Sequence, residues 1–497
     1  LDGQPYSSPN DGEISLEAIP VELIKRIEVL KSPGSAIYGP NAMGGVINII
    51  TKDGEDIEKT KIKAGLGSYN KRNLNISRSF RNEQSSIIFV YDSLNSDGHR
   101  ANSEIDRDDL FIKTNPKTGE ISTLNLSLKY NETNLEFPGS DLGDHSGAKI
   151  EEELNLNAFL IQNFENKDRR ISIFTTDRDT LIPYVGDSNS QIDIKRTGLN
   201  IRETNYINNH ILNYGFEIIS DESVNIYNTP SFGSTNYDEN NLNKSIFIED
   251  KYSINKENII NIGIRYDDHE EYGSELSPRL GYLYRINKYL NFNLLYGESY
   301  KAPSYFQLYF PDWGGGNPDL IPETTKSYEV GLKYNRSNCS RQISIFKRDG
   351  DDFIAVKDGV FTNFNSVTIE GLDFSSNRII NRNWEFGFNY TYLDAVNDEN
   401  GERLGDIPYH QFDLSLKYKL NNIRVNLNNS FLGSRIDGAS GNELSSHFVS
   451  DLKISNNLTE NTELAVEINN LFDREYQVVD GYRMPGRNFM VNVSTKF

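Results

Sequence analysis

Cysteine occurs once in this 497-residue chain, at Cys339. That excludes an internal disulfide framework and any zinc site built on paired thiolates. Histidine is scarce, and His99, His145, His210, His269, His410 and His447 fall in separate segments without the HExxH spacing of a catalytic metal site. No GxSxG, Walker or dinucleotide-binding motif precedes a helical pattern, so enzymatic activity is not expected. Positive charge is in deficit: 51 Lys and Arg stand against 72 Asp and Glu, a net −21. A nucleic-acid binder needs clustered cations to neutralise phosphates, so that class is excluded. No stretch approaches the ~20 consecutive apolar residues of a membrane-spanning helix. Aromatic residues are plentiful, 28 Tyr and 26 Phe, which argues against a disordered chain. No signal segment is visible and the chain opens on Leu1, so it is read as a fragment or processed product.

What the sequence has in abundance is alternation. Leu124, Leu126, Leu128 and Tyr130 alternate with Asn125, Ser127 and Lys129, and Ile260, Ile262, Ile264 and Tyr266 with Asn261, Gly263 and Arg265. Phe412 to Leu420 and Phe489 to Phe497 do the same. A period of two describes strands with one apolar and one polar face. From residue 57 onward about 22 such segments can be counted, each near the length of a tilted membrane strand. The joins sort by parity. Arg81 to Glu83, 115–119, Asn255-Lys256, Asn287-Lys288 and Asn421-Asn422 are tight, whereas 132–148, 223–239, 301–324, 397–406, 436–445 and 472–486 are long and rich in Gly, Asp and Asn. Short turns on one rim and long loops on the other predict an all-β transmembrane fold, an antiparallel outer-membrane β-barrel of about 22 strands. A barrel that wide needs a plug. Its polar lumen accounts for a mean hydropathy of −0.59. A soluble β-propeller or β-helix is the alternative, but no repeat of the usual period is present.

Residues 1–55 follow other rules. Ile19 to Arg26 read as a short helix with Pro20 near its start, Ile27–Leu30 and Val46–Thr51 as strands, with turn signals at Pro33-Gly34, Gly39-Pro40 and Gly44-Gly45 between them. The expected division is a small α/β plug part over 1–55 and a barrel over 56–497.

The run LDGQPY…IPVELIKRIEVLKSPGSAIYGPNAMGGVINIITK closely resembles the second half of the plug of TonB-dependent outer-membrane transporters. NLFDREYQVVDGYRMPGRNFMVNVSTKF resembles the closing segment of that family, and YGESYKAPSYFQLYFPDWGGGNPDLIPETTKSYEVGLKY and FLGSRIDG resemble its cobalamin (vitamin B12) receptors. The resemblance implies active import of a scarce solute, cobalamin or a related corrinoid, with a ferric siderophore or haem as the alternative cargo. A passive porin is a third reading, and a non-transporting adhesin or receptor a further one. The implied partners are the TonB energy-transducing complex, the ligand, outer-membrane lipid and lipopolysaccharide, and the barrel-assembly machinery, with the protein acting as a monomer. Family plugs run longer and begin with a TonB-contacting segment that is not in this sequence. A hydrated gap beside the plug part and loss of energised transport are therefore expected.

Site residues follow by placement. The plug loop before IPVELI points outward in the family, which nominates Tyr6, Ser7, Ser8, Pro9 and Asn10 as ligand contacts. The loop 301–324 adds Tyr305, Tyr309, Phe310 and Trp313 beside Gly314, Gly315 and Gly316. Aromatics on such a loop cover a flat ligand at low side-chain entropy cost; a membrane-interface girdle is the other reading of the same rings. Gly39, Gly44 and Gly45 supply close approach and positive φ in the plug turns. Arg26 and Glu28 share one strand face, either paired with the barrel wall or solvated as a weak ion pair. Asp141 and Asp144 are candidate Ca²⁺ ligands in an outer loop, with no other cofactor expected. The terminal Phe497 resembles the signal read by the barrel-assembly machinery.

Overall fold

A computed structural model of the chain describes residues 1–497 other than 58, 142–145, 185–187, 231–232 and 311–314. Alternating strands close on themselves because an open sheet of this length would leave two unpaired edges. The closed antiparallel barrel has 22 strands. It begins at Lys61–Gly67 and ends at Asn488–Lys496, and those two strands pair from Lys61↔Lys496 to Gly67↔Met490. Strand by strand the alternation sets the faces. Ile262, Ile264 and Tyr266 are exposed on the outside, whereas Arg265 and Asp267, which flank Tyr266, are buried in the lumen. Phe497 follows the last strand, exposed on the rim, and its amide donates to the Thr60 carbonyl.

The outer ends differ from expectation. Residues 223–229 and 233–239 are not loop: the strands His210–Thr229 and Gly233–Ser253 stay paired, in register from His210↔Tyr252 to Thr229↔Gly233. Above the membrane both faces of a strand are wet, so alternation ceases to be required and the sequence reads as loop although the ladder persists. Small elements occupy other outer loops: the helix Tyr305–Tyr309, the pair Arg435–Ile436 with Glu443–Leu444, and the pair Gln477–Val479 with Tyr482–Arg483.

Inside the lumen lies a two-stranded antiparallel sheet, Ile24–Leu30 with Val46–Thr51. The expected helix over 19–26 is two 3-10 turns, Leu16–Ala18 and Val21–Leu23, and the strand starts three residues earlier than read, at Ile24. Pro20 caps the second turn, and β-branched Ile24 and Ile27 favour extension over helix. Leu23 is fully buried against Ile88, Val90 and Phe111 of the wall, with Ile57 beside them. Burial of apolar side chains of this size contributes about 1.5–3 kcal/mol each. Within the sheet itself Ile27, Val29 and Ile47 are 54%, 59% and 64% exposed, whereas Ile49 beside Ile27 is buried.

Of the two readings of Arg26 and Glu28 the solvated pair holds, and the expectation for Gly44 is corrected. Arg26 and Glu28 do not reach the barrel wall; they pair with each other at 2.7 Å, and Asn48 donates to Glu28 at 3.2 Å. Both are exposed, so the pair contributes little. Gly44 needs no glycine, because it has ordinary φ and a Cβ there would meet nothing within 4 Å. Gly45 does: φ is +140° and a Cβ would lie 2.3 Å from the Leu30 carbonyl oxygen.

Glu22 ties the inner piece to the first barrel strand, at 2.8 Å from Lys61 and 3.1 Å from Lys63. Burial alone would raise its carboxyl pKa, but the two ammonium groups outweigh burial and hold it down, from 4.5 to about 2. A depressed carboxylate contributes stability that is fully present above its unfolded value and is lost as pH falls through the folded one. The tie should therefore survive at pH 5 and fail only as pH approaches about 2. Limited proteolysis across that range should show cleavage of residues 1–55 rising only at the acid end. For Glu22→Gln it should already be raised at pH 5 and converge with the parent at the acid end.

Candidate functional site

At the long-loop end of the lumen a cavity of about 300 Å³ separates the plug loop from the wall. Its floor is Ser7, Ser8, Pro9, Asp11, Tyr38 and Asn41; its wall includes Arg196, Asp221, Asn241, Asn243, His269 and Tyr272; its roof is Lys301 to Tyr305 with Gln307 and Leu308. Larger grooves of about 640 and 720 Å³ lie on the outside of the barrel, among Ile112, Leu126 and Ile173 and among Ile171, Phe216 and Ile246. Those face the surrounding apolar phase and have no convergent polar groups beyond a rim Arg169–Glu203 pair, so the lumenal cavity is the candidate site.

The roof is built locally. Ser304 and Gln307 form a capping box: the Ser304 hydroxyl accepts from the Gln307 amide at 3.2 Å, and the Gln307 side chain accepts from the Ser304 amide at 3.0 Å. The first turn then donates backward to the plug loop, Tyr305 to the Pro9 carbonyl at 3.2 Å and Phe306 to the Asn10 carbonyl at 2.7 Å. The Tyr305 hydroxyl donates to the Asp221 carbonyl at 3.0 Å. Thus the structure brings together the two segments that the sequence nominated separately.

Not every nominated side chain faces the cavity. Ser7, Ser8, Pro9 and Tyr305 do. Tyr6 turns instead into the wall: its hydroxyl donates to Glu153 at 3.0 Å and accepts from Lys129 at 3.1 Å, with the Lys129 ammonium 5.5 Å and the Arg178 guanidinium 5.8 Å from its ring. Burial pushes its phenol pKa up. Asn10 is fully buried, its amide oxygen accepting from Ser223 and Tyr237. Both anchor the loop whose neighbours line the site. Tyr309 stacks on Tyr305 at 6.0 Å, and Phe310 packs on Phe306 at 4.3 Å and Tyr227 at 5.7 Å, forming an aromatic band beside the roof. Burial raises the Tyr305 and Tyr309 phenols, so both remain protonated donors. Trp313 and Gly314 lie outside the described residues.

The polarity of the site is mostly compensated. Arg196 makes a two-pronged pair with Asp221 (2.5 and 2.8 Å) and donates to the Ser7 carbonyl at 2.9 Å. Lys301 pairs with Glu323 at 3.3 Å, and Glu217 with Arg265 at 2.8 Å. Two amide atoms on adjacent lumen-facing positions, Asn241 Nδ2 and Asn243 Oδ1, are buried without a hydrogen-bond partner. What remains is an aromatic cavity with neutral donors and acceptors, suited to holding a polar, flat solute. The sequence missed Asn241, Asn243, His269 and Tyr272. Alternation marks them as lumen-facing, but nothing in one strand says at what height it meets the plug.

The Ca²⁺ candidates are only partly described. Asp141 lies between Arg100 at 3.3 Å and Arg483 at 2.9 Å, which compete with a cation for its oxygens, and Asp144 lies outside the described residues. Among the described residues no group of three or more His, Cys, Asp or Glu is arranged to hold a metal.

Comparison with known proteins adds the following. A family model described as "TonB dependent receptor-like, beta-barrel" matches residues 58–471, and the "TonB-dependent Receptor Plug Domain" model matches residues 1–46. The chain is 25% identical to the "Vitamin B12 transporter BtuB" of Vibrio vulnificus, across 100% of this chain and 83% of that protein. It is 24% identical to the "Iron-regulated outer membrane virulence protein" of Vibrio cholerae, across 96% and 80%. Among solved structures, "Copper transporter OprC" superposes with a TM-score of 0.86 at 16% identity, covering 100% of this chain and 89% of that one. The ferripyoverdine receptor of Pseudomonas aeruginosa superposes with 0.86 at 15%, covering 100% and 79%. At such identities the structural likeness is one of fold.

Proposed function

This chain belongs to the TonB-dependent receptor family of the outer membrane, and from that premise we propose that it imports cobalamin or a related corrinoid through the cavity at the plug apex. The supporting observation is the cavity's chemistry: tyrosines, free amide groups and internally paired charges. A corrin is a broad, flat ring edged with carboxamides, each offering one acceptor and a pair of donors, the complement of Asn241 Nδ2 and Asn243 Oδ1. The B12-transporter relatives aligned over the full chain support the same reading. A cavity of about 300 Å³ takes only one edge of such a ligand, so the Tyr305–Tyr309 helix must swing outward on binding. Bound ligand would then disturb the Pro9 and Asn10 contacts, and TonB would supply the energy to rearrange the plug.

The second reading is a ferric-siderophore or haem receptor, favoured by the siderophore receptors that share the fold. Fluorescence titration with cyanocobalamin against a panel of ferric siderophores, with and without Ca²⁺, separates the two. Saturable cyanocobalamin binding, weakened by Asn243→Leu, is expected. Tight siderophore binding without corrinoid binding would replace the first reading by the second.

A further inference from the structure

Acidic residues dominate the chain overall, yet one sector of the short-turn rim, the periplasmic one in outer-membrane barrels, is basic. Lys288, Arg336, Arg341 and Arg378 lie at or beside the short turns that close Gly273–Arg285 to Leu290–Lys301, Glu323–Arg336 to Cys339–Lys357 and Val360–Ile379 to Trp384–Asn397. All four are exposed. Register fixes where three of them point. Val330, Leu332, Ile343 and Ile345 are exposed on the outer face, so Arg336 and Arg341, an even number of residues along the same strands, share that face. Arg378 stands opposite Cys339, which is itself opposite Arg336. Lys288 and Arg336 flank the Tyr289 ring at 4.8 and 5.9 Å, and Tyr289 packs on Tyr334 at 6.2 Å. Aromatics at this height mark the membrane–water interface.

Among the described residues these cations have no acidic partner. Elsewhere on the same rim Lys167 and Arg169 share Glu203 at 3.4 and 2.7 Å, and Lys453 pairs with Glu467 at 2.6 Å. Among the described residues no ion pair includes Lys288, Arg336, Arg341 or Arg378, and the nearby Glu385 is engaged by Lys417 at 3.8 Å. We infer that this sector binds the phosphate headgroups of anionic phospholipids in the inner leaflet of the outer membrane. The outward direction of the side chains, the aromatic belt and the sign of the charge all fit a lipid headgroup. A periplasmic protein would meet the ends of the turns instead.

Native mass spectrometry of the full chain, released in mild detergent with equal phosphatidylglycerol and phosphatidylcholine, tests this. Phosphatidylglycerol should be retained in preference. The preference should fall roughly fivefold for each cation removed in Arg336→Gln, Arg341→Gln and Arg378→Gln, since an anionic surface attracts each basic side chain by about that factor. Arg→Lys at the same positions should keep it, as should Arg169→Gln on the paired sector. Heat-modified gel mobility shows that each variant is a folded barrel. A triple Gln variant that retains phosphatidylglycerol like the parent, or a parent with no preference between the lipids, overturns the inference.

Discussion

Glu153→Gln should destabilise the protein by about 3–5 kcal/mol, because it leaves two buried cations without their counter-charge. Glu153 is fully buried and sits between Lys129 at 2.9 Å and Arg178 at 2.8 Å. Lys129 and Arg178 are themselves 2% and 5% exposed, so water cannot take over. An exposed pair would lose under ~1 kcal/mol on the same change, which makes burial the deciding factor. Urea-induced unfolding in detergent measures the loss. The double variant Glu153→Gln with Lys129→Met should recover part of it, because one of the stranded charges is gone. A shift in the unfolding midpoint no larger than that of a surface substitution would show that the cluster is hydrated. The same variant carries a functional consequence. Tyr6 donates to Glu153, so the plug loop is loosened and the floor of the cavity with it. Ligand affinity should fall although no cavity-lining residue has changed.

Much of this architecture was legible because a membrane barrel imposes a period of two wherever one face meets lipid. Strands such as Asn488–Lys496 and Val46–Thr51 fall where the alternation or the apolar run places them. Legibility stops where that constraint stops. The strand His210–Thr229 rises beyond the apolar phase, and its end from Ser223 on reads as loop. The site shows the same limit. Ser7, Ser8, Pro9 and Tyr305 were found because two segments resembled a known family, not because their spacing reveals a cavity. Tyr6 and Asn10 lie in the same nominated loop but point the other way, into Glu153 and Tyr237, since direction in an irregular segment follows tertiary partners that a single chain read in order does not display. Arg265, Asp267 and Glu217 illustrate the remainder. Each is an ordinary polar residue of a strand by pattern, and only the closing of the barrel makes them one cluster.

That cluster sets the second large effect, at Gly39. The short helix Ser35–Tyr38 ends at Gly39 with φ +77° and ψ −152°, a region open essentially to glycine alone that costs an L-residue roughly 1–3 kcal/mol. A Cβ there would also lie 2.8 Å from Arg265 Nη2 and 3.0 Å from Cζ. The far end of a free arginine would yield, but this guanidinium is fixed by Asp267 at 2.9 and 3.0 Å, Glu217 at 2.8 Å and Ser245 at 2.8 Å, and is 1% exposed. The plug must therefore move in place of the arginine. Gly39→Ala should shift the Ser35–Tyr38 helix off the wall, carrying Tyr38, Pro40 and Asn41 out of the cavity floor. Asn41 would then lose its amide bond to the Tyr300 carbonyl at 3.1 Å and its side-chain bond from the Ala302 amide at 3.2 Å, and with them the seat of the roof. Two measurements should move together: ion conductance through single barrels in planar bilayers rises, and ligand affinity drops by about tenfold or more, the equivalent of the backbone strain alone. Gly44→Ala supplies the control, because it lies in the same connection between Ser35–Tyr38 and Val46–Thr51 with ordinary φ and open space around it. It should change stability by no more than ~0.5 kcal/mol and conductance not at all. If the two alanine variants behave alike, the close approach of Gly39 to Arg265 does not hold the plug. The docking would then rest on the Leu23 cluster and the Glu22 tie.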